Sequence, residues 1–162
     1  MSRLSTHWLS RLIAAAALSL PVLAQAAAYT FPTTMPAGCS GSGGSYTCTA
    51  LTLGYGDTVA IAGTKPATLT INGNFDASNA LINQAGVTAD LNIVVNGTLT
   101  FGYQAKIKGN VTATAVNDAG GGGVVLTGNL TATGGNVSLG YQTAVSGNLS
   151  TSGSGTLLTA VW

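Results

Sequence analysis

The chain has 162 residues, enough for one domain, with only 6% charged residues and a formal net charge of +1. Both arginines and the single histidine lie within the first 11 positions. Beyond them Lys65, Lys106 and Lys108 face Asp57, Asp76, Asp90 and Asp118, a balance of 3 − 4 = −1. That balance excludes the clustered cations that nucleic-acid binding needs for phosphate neutralisation.

Residues 1–28 read as a cleaved secretory signal peptide. Arg3 and Arg11 form a charged head, Leu12 to Leu23 an apolar middle, and Ala24-Gln25-Ala26 or Ala26-Ala27-Ala28 a small-residue cleavage site. The apolar run is short for a membrane span, so the processed chain is expected to have none. The expected location is outside the cytoplasm: extracellular, cell-surface or periplasmic.

Residues 29–50 read as an N-terminal cap. Pro32 and Pro36 interrupt regular structure, and Cys39 and Cys48 flank a Gly- and Ser-rich loop. Two cysteines in an exported chain predict one disulfide, a staple of roughly 2–3 kcal/mol for so short a loop. With no histidine nearby, a metal site lacks ligands, and none is expected.

Residues 51–162 read as a β-solenoid. Leu69, Ile71, Gly73 and Phe75 share one parity, as do Ile93, Val95, Gly97, Leu99 and Phe101, which is the period of half-buried strands. Gly109-Asn110-Val111, Gly128-Asn129-Leu130 and Gly147-Asn148-Leu149 then recur at a constant interval (128 − 109 = 147 − 128 = 19). Gly102-Tyr103-Gln104 returns two such intervals later at Gly140. A fixed short period marks stacked coils.

The expected fold is therefore all-β: a single-stranded parallel β-helix of about six turns, with three short strands per coil and a disulfide-clasped N-terminal cap. Superposed repeats place Val111, Leu130 and Leu149 in one interior column and Ile107, Leu126 and Val145 in another. A third holds Phe101, Leu139 and Leu158, with Val137 matching Leu99. Asp118 falls in an apolar column, residues 84–91 read as an added loop, and Asn92 is out of step, which predicts a bulge.

The motifs Pro36-Ala37-Gly38-Cys39, Thr47-Cys48, Leu53-Gly54-Tyr55-Gly56-Asp57-Thr58, Ile71-Asn72-Gly73-Asn74-Phe75 and Val95-Asn96-Gly97-Thr98-Leu99-Thr100, followed by the Gly-Asn repeats, carry a resemblance. They resemble the N-terminal β-solenoid region of large secreted bacterial proteins of the MSHA pilus biogenesis MshQ-like family. More distantly, they are similar to polymer-forming bactofilin-type solenoids. The resemblance implies a surface- or pilus-associated partner and offers no catalytic residue to transfer.

The four aspartates occur singly, at unrelated repeat positions, and read as turn residues instead of an acid–base pair. A serine triad has no histidine base. The expected protein is not an enzyme and takes no cofactor.

Three candidate surfaces remain. Thr112/Thr114, Thr131/Thr133 and Ser150/Ser152 alternate with interior residues and form candidate ligand-facing hydroxyl columns of the kind seen in ice-binding solenoids. Tyr55, Tyr103 and Tyr141 are candidate aromatic contacts for a carbohydrate or a protein. Residues 156–162 are apolar without a polar cap, so Leu157, Leu158, Val161 and Trp162 are candidates for end-to-end self-association. The function expected is a structural or adhesive surface solenoid, with a carbohydrate- or ice-binding module as the alternative.

Overall fold

The computed structural model describes residues 25–118, 122–152 and 155–159. The predicted leader, as well as Val161 and Trp162, lies outside them almost entirely, and so does the Leu158 side chain.

Short strands separated by corners dominate throughout. The first are β1 (Ala28–Phe31), β2 (Cys39–Ser42), β3 (Ser45–Cys48) and β4 (Leu51–Thr52). Next come β5 (Thr58–Ile61), β6 (Ala67–Ile71) and β7 (Phe75–Asp76), then β8 (Leu81–Ile82) and the long β9 (Leu91–Phe101). These are followed by β10 (Lys106–Lys108) and β11 (Asn110–Asp118), then β12 (Val125–Thr127), β13 (Leu130–Ala132) and β14 (Val137–Leu139). The last group is β15 (Ala144–Val145), β16 (Leu149–Thr151) and β17 (Leu157–Thr159).

Apart from the antiparallel hairpin β2–β3, every strand pairing among the described residues is parallel and joins one coil to the next. One face stacks β1, β5, β8, β10, β12 and β15. A second stacks β3, β6, the first half of β9, the first half of β11, β13 and β16. The third stacks β4, β7, the second halves of β9 and β11, β14 and β17. This is a parallel β-solenoid with three strand faces per coil.

Side-chain alternation sends every second residue inward, and register stacks like on like. Val59, Ile82, Ile107, Leu126 and Val145 make one interior column. Tyr46, Leu69, Ile93, Val111, Leu130 and Leu149 make another, and Leu51, Phe75, Leu99, Val116, Val137 and Leu157 a third. Most of these side chains are fully buried, each contributing about 1.5–3 kcal/mol of apolar burial.

Six strands stack on each face, so the described chain winds through about five turns, in keeping with the expected solenoid. The coils differ in length. In the column of Val59, Ile82 and Ile107 the interval is first 82 − 59 = 23 and then 107 − 82 = 25, and only later coils settle at 19. The longest early coil carries the predicted loop, which includes a 3-10 turn at Thr88–Asp90. Asn83 anchors it by donating to the Val87 and Lys108 carbonyls at 3.1 and 2.9 Å.

The predicted bulge exists but lies further along the strand. Asn92 pairs in register with Asn110, and the irregularity falls where Ala113 pairs Val95 and Ala115 pairs Thr98. Two residues, Asn96 and Gly97, thus oppose the single Thr114.

The Leu158 assignment is overturned. Leu157 pairs Val137, Leu158 pairs Ser138, and Thr159 takes the place beside Leu139. The last coil is one position longer between these strands than the repeat interval, and a one-residue slip of register is enough to take Leu158 out of the Phe101–Leu139 column.

The predicted disulfide Cys39–Cys48 closes the β2–β3 hairpin across a directly opposed pair. The segment read as a cap also supplies solenoid rungs, because β1 pairs β5 and β3 pairs β6. Tyr46, in the return strand of that hairpin, turns inward against Phe31 with ring centroids 5.0 Å apart, edge to face.

Candidate functional site

The Gly-Asn repeat explains how neighbouring coils lock at a corner. Asn110 Oδ1 accepts the Asn129 N–H at 3.2 Å, and Asn129 Oδ1 accepts the Asn148 N–H at 2.9 Å. Asn92 joins below, its Oδ1 accepting from the Asn110 amide at 3.3 Å. Glycine precedes each later asparagine because the coils touch there: a Cβ on Gly147 would sit 2.6 Å from Asn129 Oδ1. The asparagines therefore form an amide ladder, each supplying an acceptor to the coil that follows.

Outward from the second face runs a column of mainly hydroxyl residues. Register places Thr47, Thr70, Val94, Thr112, Thr131 and Ser150 in line, one per coil, at about 4.8 Å spacing. Beside it Ser45, Thr68, Asn92 and Asn110 stack in the same way and continue into the amide ladder. Thr131 and Ser150 share a hydroxyl–hydroxyl contact of 3.0 Å. Thr112, Thr131 and Ser150 thus stand together as the sequence predicts, on a surface reaching three rungs further than the repeat indicated.

The other predicted column differs in character. Thr114 sits opposite the bulge, while Thr133 Oγ1 and Ser152 Oγ donate to the Ala113 and Ala132 carbonyls at 3.3 and 3.4 Å. Those protons close coil-to-coil bonds, so Thr133 and Ser152 present only lone pairs to a ligand.

Tyr55, Tyr103 and Tyr141 are exposed at the corner between the third and first faces, away from the hydroxyl column. Each precedes a left-handed residue: Gly56, Gln104 and Gln142 have φ of 76°, 57° and 54°. The glutamine amides donate to the preceding tyrosine hydroxyls at 2.9 and 3.0 Å, which fixes the rings at the tip. Intervening coils carry Ser78 before Asn79 (φ 54°) and Gly122 before Gly123 (φ 75°), so tyrosines occupy alternate coils, roughly 10 Å apart.

Every aspartate is engaged within a turn. Asp57 accepts backbone N–H groups of Ala27 and Gly54 at 2.6 and 2.7 Å. Asp76 accepts from the Ser78 N–H and hydroxyl at 3.0 and 2.6 Å. Asp118 lies in the Phe101–Leu139 column, as its position in the repeat predicts, and its Oδ2 accepts from Gly140 N–H and the Thr143 hydroxyl. Asp90 bonds Lys65 at 2.8 Å, and that hydrogen bond, helped by the Val87 N–H, holds its carboxyl below the ordinary carboxylate range. Among the described residues no three His, Cys, Asp or Glu side chains cluster to hold a metal, and no helix is long and apolar enough to cross a membrane.

At the terminal coil Leu157 is exposed although it follows an interior column, because no coil among the described residues covers it. Leu158 occupies the rung beside Ser138, and Val161 and Trp162 fall outside the described residues.

Sequence reasoning missed Ser45, Thr47, Thr68 and Thr70. They join the array at longer intervals, 70 − 47 = 23 and 94 − 70 = 24, which a period of 19 does not reveal. Strand parity in β3 and β6 was a usable signal.

No protein-family model, curated protein or solved structure matches the chain. The resemblance to MshQ-like and bactofilin-type solenoids therefore rests on the quoted sequence motifs.

Proposed function

We propose that the protein is an exported, non-enzymatic β-solenoid acting as a structural and adhesive module at a bacterial surface or in its matrix. The carrying observation is the outward column Thr47, Thr70, Val94, Thr112, Thr131 and Ser150 with its flanking amides: an uncharged hydrogen-bonding strip, repeated in register along the coil axis. Each contact to a polyhydroxy polymer is weak, but a rigid repeat presents many at once and raises the effective concentration for each successive contact. The tyrosines on alternate coils supply a second, apolar set of contacts for sugar rings.

The test is retention of the purified chain on immobilised matrix polysaccharide, alone and with Thr112→Glu/Thr131→Glu or Tyr103→Ala/Tyr141→Ala. Loss of retention with the first pair at unchanged melting temperature supports the hydroxyl strip. Retention that survives both pairs refutes the reading.

Ice binding is favoured by the same column, since evenly spaced hydroxyls suit an ordered lattice. Val94 interrupts the column and Thr133 and Ser152 direct their protons to the backbone, so this reading ranks second. Absence of thermal hysteresis and of shaped ice crystals removes it.

Partnership with another copy or with a pilus protein belongs to the same proposal. The outer edges of β15, β16 and β17 have no neighbour among the described residues, and such edges accept a further strand. Concentration-dependent light scattering, with Leu157→Lys as control, reports that association.

A further inference from the structure

Asp57 is a buried carboxylate, 8% exposed, whose two oxygens meet, among the described residues, two backbone donors: Ala27 N–H at 2.6 Å and Gly54 N–H at 2.7 Å. The lysine–carboxylate pair among the described residues is Lys65–Asp90, so among those residues no side-chain cation neutralises Asp57. A buried charge held by neutral donors alone is costly. The Ala27 nitrogen follows directly after Ala24-Gln25-Ala26, one of two sequence patterns for leader cleavage.

We infer that the chain is processed between Ala26 and Ala27, and that Asp57 is the receptor for the α-ammonium group so created. Water, delivered by an export leader peptidase, adds across the Ala26–Ala27 amide: Ala26 leaves with the new carboxylate, and Ala27 keeps the nitrogen as an ammonium. An α-amino group of ordinary pKa, about 7.7–8.0, is charged at neutral pH. The nitrogen already lies at hydrogen-bond distance from Asp57 Oδ1, so hydrolysis turns a neutral contact into a charge-assisted one without moving the chain.

The alternative cut, after Ala28, conflicts with the fold. It would remove the Ala27 carbonyl that accepts the Thr58 N–H at 2.9 Å, the Ala28–Thr58 pairing, and the donor to Asp57. The first strand starts at Ala28, one residue inside the end that the first cut creates, and residues 25 and 26 are exposed before it. Leader removal thus supplies the counter-charge of a buried carboxylate, and the unprocessed chain folds less stably than the processed one.

The inference rests on the export reading, and one experiment separates the two. The full chain is expressed in a secreting bacterial host, fractionated, and read by intact mass and N-terminal sequencing. An exported product starting at Ala27 is expected. An exported product starting elsewhere overturns the inference alone, and an unprocessed cytoplasmic product overturns the export reading with it.

The pairing is tested on protein starting at Ala27 with a free or acetylated amine, with Asp57 or Asp57→Asn. Acetylation should weaken the folding equilibrium about tenfold with Asp57 and leave it unchanged with Asn, while equal losses overturn the pairing. Should Asp57→Asn fail to fold, acylation of the free amine decides: at least about tenfold slower labelling than in a matching peptide is expected, and equal rates overturn it.

Discussion

Replacing Leu126 by alanine tests the stacked interior most directly. Leu126 is 0% exposed and lies between Ile107 and Val145 in the first-face column, while its neighbour Val125 points outward at 38% exposure. Truncation removes three carbons, about 2.4 kcal/mol of transfer free energy at ~0.8 kcal/mol each. The hole left between two fixed rungs adds a cavity cost, bringing the total to about 3–4 kcal/mol. An unfolding entropy of about 2.1 cal/mol/K per residue gives ~0.27 kcal/mol/K for a body of ~130 residues, so Tm falls by about 11–15 °C. Val125→Ala should cost no more than about 0.5 kcal/mol, or ~2 °C. Thermal and urea unfolding followed by circular dichroism measure both. Similar shifts for the two variants, or a Leu126→Ala loss below about 1 kcal/mol, would refute the register and with it the outward placement of Thr112 and Thr131.

Cys39→Ala/Cys48→Ala releases the hairpin at the first edge of the second face and should lower stability by about 2–3 kcal/mol, read as a reduced urea midpoint. Asn129→Ala deprives the Asn148 N–H of its acceptor and should cost about 1 kcal/mol, with faster amide exchange concentrated in β16. Asp90 has a folded pKa below its unfolded value of 3.8, so its ion pair stabilises the fold above that pH and the contribution disappears as pH falls through the folded pKa. Lys65→Met should therefore flatten the acid limb of the Tm–pH curve and leave a small, salt-sensitive difference at neutral pH.

Periodicity carried most of the fold. Gly109, Gly128 and Gly147 marked equivalent corners, and from them the columns through Val111 and Ile107 followed correctly. Where coil length departed from the repeat interval, the inference weakened for a physical reason: inter-coil pairing fixes register, while corners absorb insertions freely. That freedom hid the early rungs at Thr47 and Thr70, moved the bulge to Asn96-Gly97, and took Leu158 out of its expected column. The amide ladder was legible as a column of turn asparagines, but its direction, from side-chain carbonyl to the next coil's N–H, depends on the close approach at glycine. The Asp57 contact was not legible, because it joins distant parts of the chain through a backbone nitrogen.

Parallel stacking also sets how the molecule meets mechanical load. Its inter-coil hydrogen bonds run along the coil axis, so tension along that axis loads successive coils in series. At the hairpin end, the Cys39–Cys48 link prevents β2 and β3 from unzipping as a simple ribbon. The strands of the later coils, β12 to β17, are two or three residues long, so each inter-coil pairing there rests on few backbone bonds. A solenoid of this construction meets axial tension with the backbone bonds between its coils, and the disulfide adds a covalent link within the β2–β3 hairpin.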